Sequence, residues 1–327
     1  MCSLGRAVAS ETEGQKGFEV RVDILLATYN GAAFLKEQLE SVLAQTHQDW
    51  HILARDDGSS DGTPAILDDY AKAHPEKFTV LCDGLRLGAK GAFSALMAQS
   101  TAPYVAFCDQ DDFWLPEKLE LLLTAMREAE LRHGCRRPLL IHSDLEVVDE
   151  RLVTLAPSFW LHQGIEPRRD RLPQLIVQNV VTGCASLFNK ALLEAALPIP
   201  PEAFMHDYWL SLVASACGEI VAVPEQLVRY RQHGKNTLGA KKMPGLFSLP
   251  GKTFTRAGWR LDYSDACAQA RSLLQFLTGT VPIPAVRCLS SFADLYQHGW
   301  IMRRVILIRH GIFPACLRRQ ISVLVRV

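Results

Sequence analysis

Residues 104–112 read YVAFCDQDD, an apolar run that ends directly in three carboxylates. Residues 104–108 are typical of a buried strand, and Asp109 and Asp111 follow it two positions apart. In extended chain such residues point to the same side, so both carboxylates can face one hard cation. The same residues are also typical of an acidic turn before a helix, with Asp112 near its N-terminus. The stretch alone leaves both interpretations open.

Further strand patterns precede this stretch and alternate with helical ones. Such an alternation, with apolar strands, predicts a parallel sheet that helices cover on both faces. Ligands bind sheets of this kind at the carboxyl ends of the strands. The predicted strands are 22–29, 50–55, 78–82 and 104–108, and the predicted helices between them are 32–44, 63–74 and 88–100.

Mixed patterns follow in the second half of the chain. Helical spacing predicts helices at 115–133, 172–179, 191–197 and 207–217, whereas 139–148, 220–223 and 227–230 are typical of strands. Residues 239–251 are rich in Gly, Pro and Lys, which indicates a boundary. We therefore expect a flexible lead-in at 1–17, a catalytic domain at 18–238 and a basic helical region at 239–327.

A second acidic turn follows the strand predicted at 50–55. Asp56 can accept the imide N–H of uracil or thymine, and Gly58 lets the backbone approach a ligand closely. Guanine also presents a ring N–H, so a guanosine ligand is not excluded. The alternative is a solvated turn in which Asp61 caps the next helix. Two acidic turns at strand ends of one parallel sheet converge on one crevice and favour a binding site.

Four motifs occur in the order found in family 2 glycosyltransferases: ATYNG at 27–31, DDGS at 56–59, DQDD at 109–112 and HDYW at 206–209. The chain resembles that family over residues 22–236, and within it the rhamnosyltransferase-like enzymes of bacterial polysaccharide synthesis. The resemblance implies an α/β GT-A fold with a mostly parallel central sheet, helices on both faces and a helical C-terminal appendage. It divides residues 18–238 into a donor half near 18–115 and an acceptor half near 116–238.

The resemblance also implies an inverting, non-processive transfer of one sugar from a nucleotide diphosphate. Asp207 would be the base that takes the proton of the acceptor hydroxyl. Asp111 and His233 would hold Mg²⁺ or Mn²⁺, which offsets the charge of the leaving diphosphate. The residues expected against the donor nucleotide are Thr28, Tyr29, Asn30, Asp56, Asp57 and Asp109.

Six further residues are candidates for diphosphate or acceptor contacts, and each has a structural alternative. A lysine in these positions is commonly solvated, and a tryptophan in a helix commonly packs in the core. Gly183 also suits a tight turn before a buried strand, and Asp207 itself suits a helix N-cap. The six candidates are Lys90, Gly183, His206, Trp209, Lys235 and Asn236.

The expected donor is dTDP-rhamnose or a UDP-linked sugar, and the expected acceptor is a glycan or a polyprenyl-diphosphate-linked oligosaccharide. One alternative function is a sugar-1-phosphate nucleotidyltransferase, but residues 27–31 contain no basic side chain for a phosphate loop. Another is a non-catalytic glycan-binding protein, which the presence of Asp56, Asp111 and Asp207 together disfavours. Nucleic acid binding is disfavoured because the basic C-terminal region contains few aromatic residues.

Charge is unevenly distributed along the chain, whose formal net charge is zero. Residues 241–327 contain thirteen Lys or Arg and three Asp or Glu, a net charge of +10. Ile301, Val305 and Ile308 recur there at helical spacing between arginines. This pattern predicts either a peripheral contact with an anionic membrane or helices packed on the catalytic domain.

The nine cysteines include no Cys-x-x-Cys pair, which predicts reduced thiols and a cytoplasmic location. No apolar run reaches the roughly 18 residues that span a bilayer. We therefore expect a cytoplasmic protein that is at most peripheral on the inner face of the membrane.

Overall fold

The computed structural model describes residues 20–234, 263–277 and 282–314, together with residues 324 and 327. Their strands form one nine-stranded mixed sheet, so the α/β class is confirmed. The strands are β1 (Val22–Thr28), β2 (Trp50–Asp56), β3 (Phe78–Leu81), β4 (Tyr104–Asp109), β5 (Phe113–Trp114), β6 (Leu139–Val148), β7 (Thr154–Ala156), β8 (Ser186–Asn189) and β9 (Glu219–Arg231).

Helices connect most of these strands, and three more follow them. The helices that the structure describes are α1 (Leu35–Leu43), α2 (Thr63–Ala73), α3 (Gly88–Gln99), α4 (Lys118–His133), α5 (Phe159–Gln163), α6 (Leu172–Leu175), α7 (Lys190–Ala196), α8 (His206–Cys217), α9 (Ser264–Phe276), α10 (Ile283–Ala293) and α11 (Trp300–His310).

The strand order in the sheet is β3-β2-β1-β4-β8-β6-β9-β5, and β7 pairs with β6. The first four strands pair in parallel, with α1, α2 and α3 as their crossover helices. Strand β8 then pairs antiparallel with both β4 and β6. The parallel sheet expected from the sequence is thus found in the donor half. The other half is mixed because β8 enters the sheet in the opposite direction.

Both faces of the central strands are buried, as an apolar strand pattern requires. Alternate residues of β1 enter opposite cores: Leu25 packs with α3 and α8, whereas Ile24 and Leu26 pack with α1, α2 and α4. This is the two-residue period of a strand. The helices therefore hold the strand ends in fixed positions, and the loops at those ends are free to carry a site.

The described helices of the basic region pack on the part of the chain that forms the sheet. Leu289 of α10 and Leu307 of α11 belong to the same core as Trp209 of α8. The ring of Phe276 in α9 lies edge-on to Trp209, with 5.3 Å between ring centroids. One side of these helices therefore packs on the rest of the chain, which is the second of the two alternatives predicted for this region.

Several boundaries differ from those predicted. Helix α4 begins at Lys118 rather than near 115, since residues 113–114 form strand β5. The two strands predicted at 220–223 and 227–230 are one strand, β9, which contains Pro224 and pairs with β6 through register shifts. The helix predicted at 172–179 ends at Leu175.

The predicted lead-in at 1–17 and the boundary at 239–251 lie outside the described residues, so the division into domains stays a prediction. The seven cysteines in the described ranges are all free thiols. None of the helices described is both long enough and apolar enough to pass through a bilayer.

Replacing Trp209 with Ala should lower the free energy of unfolding by about 3–5 kcal/mol, because a fully buried aromatic side chain leaves a cavity. It also removes the hydrogen bond of 2.8 Å from the Trp209 indole N–H to the carbonyl of Ala196. Urea denaturation followed by circular dichroism measures the loss. Trp300→Ala is the control, since Trp300 is 63% exposed and should cost less than about 1 kcal/mol. Equal losses would contradict this account of the core.

Candidate functional site

A cavity of about 330 Å³ opens at the carboxyl ends of β1 and β4. The loop after β2, the start of α3, the turn before β8 and the start of α8 complete its wall. Its position is the one expected for a ligand site in a sheet of this kind. The residues predicted from the sequence that line it are Thr28, Tyr29, Asp57, Asp109, Asp111, Gly183, His206 and Asp207.

Asp56 lies behind this wall and holds the two N-terminal loops together. Its carboxylate accepts hydrogen bonds from the hydroxyls of Thr28, at 2.9 Å, and Ser59, at 2.5 Å, and from the Ser59 N–H at 2.8 Å. Asn30, at a positive φ of 49°, accepts from the Ser60 N–H at 2.8 Å. In this arrangement Asp56 and Asn30 bind protein groups rather than facing the cavity. A base imide reaches Asp56 only if Ser59 turns away.

Asp57, by contrast, lines the cavity and positions its mouth. Its buried carboxylate accepts from the N–H groups of Leu87, at 2.6 Å, and Gly88, at 2.8 Å, and from Arg55 at 2.7 Å. Arg55 also donates to Asp83 at 2.8 Å. Burial alone raises the pKa of Asp57, but the hydrogen bonds from Leu87 and Arg55 outweigh it and hold the pKa below the ordinary value. The start of α3 is thereby fixed beside the cavity.

Three carboxylates on the cavity wall form an unbalanced negative cluster. Burial, with the charges of Asp111 and Asp207, raises the pKa of Asp109 to about 7. Burial also raises the pKa of Asp207 to about 6, although the N–H groups of Tyr208, at 2.7 Å, and Gly183, at 3.2 Å, donate to it. Such a cluster is costly without a cation, so the wall favours binding of positive charge.

Asp111 and His233, predicted together as metal ligands, are brought together. A distance of 2.8 Å separates His233 Nε2 from Asp111 Oδ2, and the His233 ring lies 4.9 Å from that of Phe34. Carboxylate oxygens and an imidazole nitrogen are suitable ligands for Mn²⁺, and the oxygens also for Mg²⁺. With Asp109 on the same wall, the residues present fit a divalent cation held partly by a bound diphosphate.

A second group of ligand atoms lies deeper, where Asp109, Asp112 and Cys184 are within 4.8 Å of one another. Burial raises the pKa of the Cys184 thiol, so the sulfur keeps its proton. A protonated thiol is a poor ligand for a hard cation. The ammonium of Lys118 also occupies this region, since it donates to the carbonyl of Cys184 at 2.6 Å. The cavity-facing carboxylates are therefore the better candidate metal position.

Lys118 was not anticipated from the sequence. It is fully buried beneath the acidic cluster, with Nζ 3.1 Å from the ring centroid of Trp114. Burial lowers the pKa of its ammonium to about 7, while the charges of Asp112 and Asp109 act to raise it. The one signal in the sequence is a cation at the first residue of a helix, where the helix dipole disfavours it.

Gln110 and Arg86 were also missed. The Gln110 amide makes two hydrogen bonds with the backbone of Tyr29: it accepts one from the N–H at 2.8 Å and donates one to the carbonyl at 3.0 Å. A Cβ on Gly31 would lie only 2.1 Å from Gln110 Oε1, so a larger residue there would displace the Gln110 amide. Arg86 lies over the Tyr29 ring, 4.5 Å from its centroid, and donates to its hydroxyl at 2.5 Å. Arg86 and Gln110 therefore shape the mouth of the cavity.

Two predicted contacts are wrong. Lys90 turns away from the cavity and donates to the carbonyls of Pro201 and Ala203, both at 2.7 Å, so it holds the loop before α8. Trp209 is fully buried in the core and cannot present its ring to a sugar. Lys235 and Asn236 lie outside the described residues.

Gly183 and His206 both lie against Asp207. A Cβ on Gly183 would be 3.3 Å from Asp207 Cβ and from His206 Nε2, so glycine permits this close approach. Residues Gly183–Ala185 form a tight turn before the buried strand β8, which is the structural alternative considered for them, and the turn also lines the cavity. His206 stacks on Phe93 at 4.0 Å, and burial lowers its pKa to about 3. It is therefore a neutral ring near neutral pH.

Asp207 lies in the first turn of α8 but does not cap it. The N-cap residue is Met205, and the Asp207 carboxylate accepts instead from the N–H groups of Tyr208 and Gly183. Asp61 is not the N-cap of α2 either, since that residue is Gly62, but Asp61 accepts from the N–H of Thr63, the first residue of α2, at 3.0 Å. The N-cap alternative is therefore wrong for both residues.

Sequence comparison places this site in a known family. The profile described as Glycosyl transferase family 2 matches residues 23–195, just over half of the chain. An uncharacterized glycosyltransferase of Nostoc sp. is 28% identical over 66% of this chain and 66% of its own length. Uncharacterized proteins of Mycobacterium tuberculosis are 24% identical over 65% of this chain and 59% of theirs. The chain thus spans less than two thirds of these relatives.

Two further relatives have named activities. The UDP-Glc:alpha-D-GlcNAc-diphosphoundecaprenol beta-1,3-glucosyltransferase WfgD of Escherichia coli is 30% identical over 59% of this chain and 69% of its own. The dTDP-rhamnosyl transferase RfbG of Shigella flexneri is 32% identical over 29% of this chain and 34% of its own. Among solved structures, S. aureus TarS with UDP-GlcNAc superposes with a TM-score of 0.56 at 13% identity, covering 93% of this chain and 78% of that one. This likeness confirms the fold.

Replacing Arg55 with Met should destabilise the protein by about 3–5 kcal/mol, because it leaves the buried Asp57 carboxylate without its cationic partner. Arg229→Met is the matched control, since its pair with Glu146 is partly exposed and worth less than about 1 kcal/mol. The pKa of Asp57 is held below 3.8, so the pair stabilises the fold above that pH. The difference in free energy of unfolding between Arg55→Met and the parent protein should shrink as the pH falls through the pKa of folded Asp57. Urea unfolding at several pH values measures the loss of stability and its pH dependence. Equal losses in Arg55→Met and Arg229→Met would refute the larger contribution of the buried pair.

Proposed function

The chain belongs to glycosyl transferase family 2, and we propose that it is an inverting transferase that moves one sugar from a nucleoside diphosphate to a glycan hydroxyl. The observation that carries the proposal is the meeting of Asp109, Asp111 and Asp207 on the wall of one cavity at the strand ends. Asp207 comes from α8, whereas the other two follow β4. A base at Asp207 and a cation held by Asp109 and Asp111 can therefore act on one bound sugar from different sides of the cavity.

Asp207 is the proposed base. Its pKa of about 6 leaves it ionised at neutral pH yet more basic than an ordinary carboxylate, which suits proton abstraction. As the acceptor oxygen bonds to the anomeric carbon, its proton passes to Asp207 and the bond to the diphosphate breaks. Direct displacement inverts the anomeric configuration. The N–H groups of Gly183 and Tyr208 orient the carboxylate for this step.

Asp111, Asp109 and His233 are the proposed residues for Mg²⁺ or Mn²⁺. The ion, when bound, supplies positive charge that stabilises the departing diphosphate. The fit rests on their oxygen-rich ligand set and on the raised pKa of Asp109, which reflects burial and the charges of Asp111 and Asp207. Arg86 at the cavity mouth adds a fixed cation beside the aromatic ring of Tyr29. We assign that pair to the nucleotide diphosphate.

For the donor we propose a thymidine- or uridine-diphosphate sugar. RfbG is named for dTDP-rhamnose, WfgD for UDP-Glc, and TarS was solved with UDP-GlcNAc. The prediction of dTDP-rhamnose is supported by the relative that matches less of the chain, since RfbG matches 29% of it and WfgD 59%. UDP-glucose is therefore the direct competitor in any test.

For the acceptor we propose a glycan or a polyprenyl-diphosphate-linked oligosaccharide in cell-surface polysaccharide synthesis. WfgD is named for a diphosphoundecaprenol acceptor. A putative teichuronic acid biosynthesis glycosyltransferase of Bacillus subtilis, TuaG, is 36% identical over 33% of this chain and 42% of its own. The free thiols of the described cysteines support the cytoplasmic location that we propose for the reaction.

The donor should raise the thermal midpoint only when Mn²⁺ or Mg²⁺ is present, because the diphosphate and the carboxylates share the ion. A donor at 100 times its Kd adds about 2.7 kcal/mol of stability. The panel compares dTDP-rhamnose, UDP-glucose and UDP-GlcNAc, each with Mn²⁺ or with EDTA. Asp111→Asn should lose the metal-dependent shift, whereas Asp265→Asn, an exposed residue of α9, should keep it. An equal shift in EDTA would remove the metal from the proposal.

Replacing Asp207 with Asn should keep the donor-dependent shift and lower transfer by about 10²–10⁴-fold, the usual contribution of a general base. Asp68→Asn, an exposed control, should transfer normally. In the parent protein kcat/KM should fall below pH 6, because Asp207 is then protonated, and it should level off above that pH. Near-normal turnover of Asp207→Asn would exclude this residue as the base.

A further inference from the structure

The outward side of α11 is strongly apolar. Its exposed large side chains include Ile301, 70% exposed, Trp300, 63% exposed, and Ile308, 59% exposed. Met302 and Val305 are half-exposed beside them. No other helix in the described ranges exposes more than two large apolar side chains. We call these five residues, Trp300, Ile301, Met302, Val305 and Ile308, the α11 face.

The opposite side of α11 is anchored. Ile306 and Leu307 are buried in the core that also contains Trp209 of α8. After the helix, the carbonyl of Phe313 accepts a hydrogen bond of 2.6 Å from Arg169 of the catalytic domain. The α11 face is therefore held on the catalytic body rather than on a loose tail, and its apolar side chains are displayed at a fixed place.

Arginines border the α11 face on both sides. With 100° between successive helix residues, Ile301, Val305 and Ile308 form one stripe, Arg304 lies on one side of it and Arg309 on the other. Arg304 lies over the Trp300 ring, 3.6 Å from its centroid. In residues 295–314, which the structure describes, the sequence has three arginines and no Asp or Glu. A partner of this face therefore has to be apolar at its centre and negatively charged around it.

We propose that the α11 face docks the protein on an anionic lipid bilayer. Apolar side chains at the centre enter the acyl boundary, the tryptophan lies at the interface, and exposed Arg309 contacts a lipid phosphate. Arg304 donates to the carbonyls of Trp300, at 2.7 Å, and Val327, at 2.8 Å, and adds positive charge beside the stripe. A second copy of the chain fits less well, because a symmetric contact would place arginine against arginine. An eleven-residue helix, about 16 Å long, also offers much less than the roughly 800 Å² per partner of a stable interface.

This docking deepens the proposed function, because a lipid-linked acceptor would then be reached at the surface to which the enzyme binds. It does not depend on the transfer reaction. The donor-dependent thermal shift tests the transferase site, and vesicle binding tests the α11 face. Failure of one therefore leaves the other intact.

The test is flotation of the full-length protein with vesicles of phosphatidylcholine alone or of phosphatidylcholine and phosphatidylglycerol in equal parts. The parent protein should float with the anionic vesicles and much less with the neutral ones. Ile301→Glu combined with Ile308→Glu should reduce flotation at least tenfold, because two acids replace the centre of the stripe. The matched control is Leu131→Glu combined with Leu161→Glu, which alters side chains that are 88% and 84% exposed elsewhere. This control should float like the parent.

A milder variant guards against misfolding. Arg309→Gln should weaken vesicle binding about fivefold, the effect of one cation near an anionic surface, and added salt should weaken the parent in the same direction. All variants should keep the donor-dependent thermal shift. Equal flotation of the parent and the Ile301, Ile308 variant would overturn the proposal. A dimer without lipid that this variant abolishes would also overturn it and assign the face to a second copy.

Discussion

The parallel pairing of β1 with β2 and β4 is the constraint on which the site depends. Its register sets Thr28 opposite Asp56 on one side and Ala27 opposite Asp109 on the other. Two acidic turns that are far apart in the sequence thus emerge side by side. Gln110 then holds the turn after β4 against the loop after β1, because its amide binds both backbone groups of Tyr29. The chemistry of the cavity follows from strand register together with one side-chain amide.

The same arrangement is electrostatically expensive. Burial and mutual repulsion raise the pKa of Asp109, burial with the charges of Asp111 and Asp109 raises the pKa of Asp112, and burial raises that of Asp207. Two buried cations lie beside the cluster rather than in the cavity: Lys118 beneath it, and Arg231, which donates to the carbonyl of Asp111 at 2.9 Å. These positive charges lower the electrostatic cost of the clustered carboxylates without filling the position that a divalent ion and diphosphate would occupy. Stability is reduced where binding is required, as functional sites commonly show.

Much of this was predictable from the sequence for identifiable reasons. The first four strands have uninterrupted apolar runs, and the acidic turns stand where those runs stop, so the parallel sheet and the neighbourhood of Asp109 and Asp111 could be inferred. Asp207 was placed with them by the family resemblance of the HDYW motif. The antiparallel direction of β8 could not be inferred, since four residues after a glycine turn give no sign of strand direction. Lys90 and Trp209 were misassigned because side-chain direction depends on packing that appears only in three dimensions. Lys118 was not predicted because it belongs to no motif.

The shared core of α8 and the C-terminal helices has a consequence for cooperativity. The helix that begins with His206 and Asp207 packs through Trp209 against Phe276 of α9, and α10 and α11 extend the same core. The stability of the basic helices is therefore coupled to that of the rest of the fold. Their unfolding would expose the apolar side of the helix that carries Asp207. The described parts of both regions should therefore melt as one unit, and destabilising changes in the C-terminal helices should also disturb the cavity wall at Asp207.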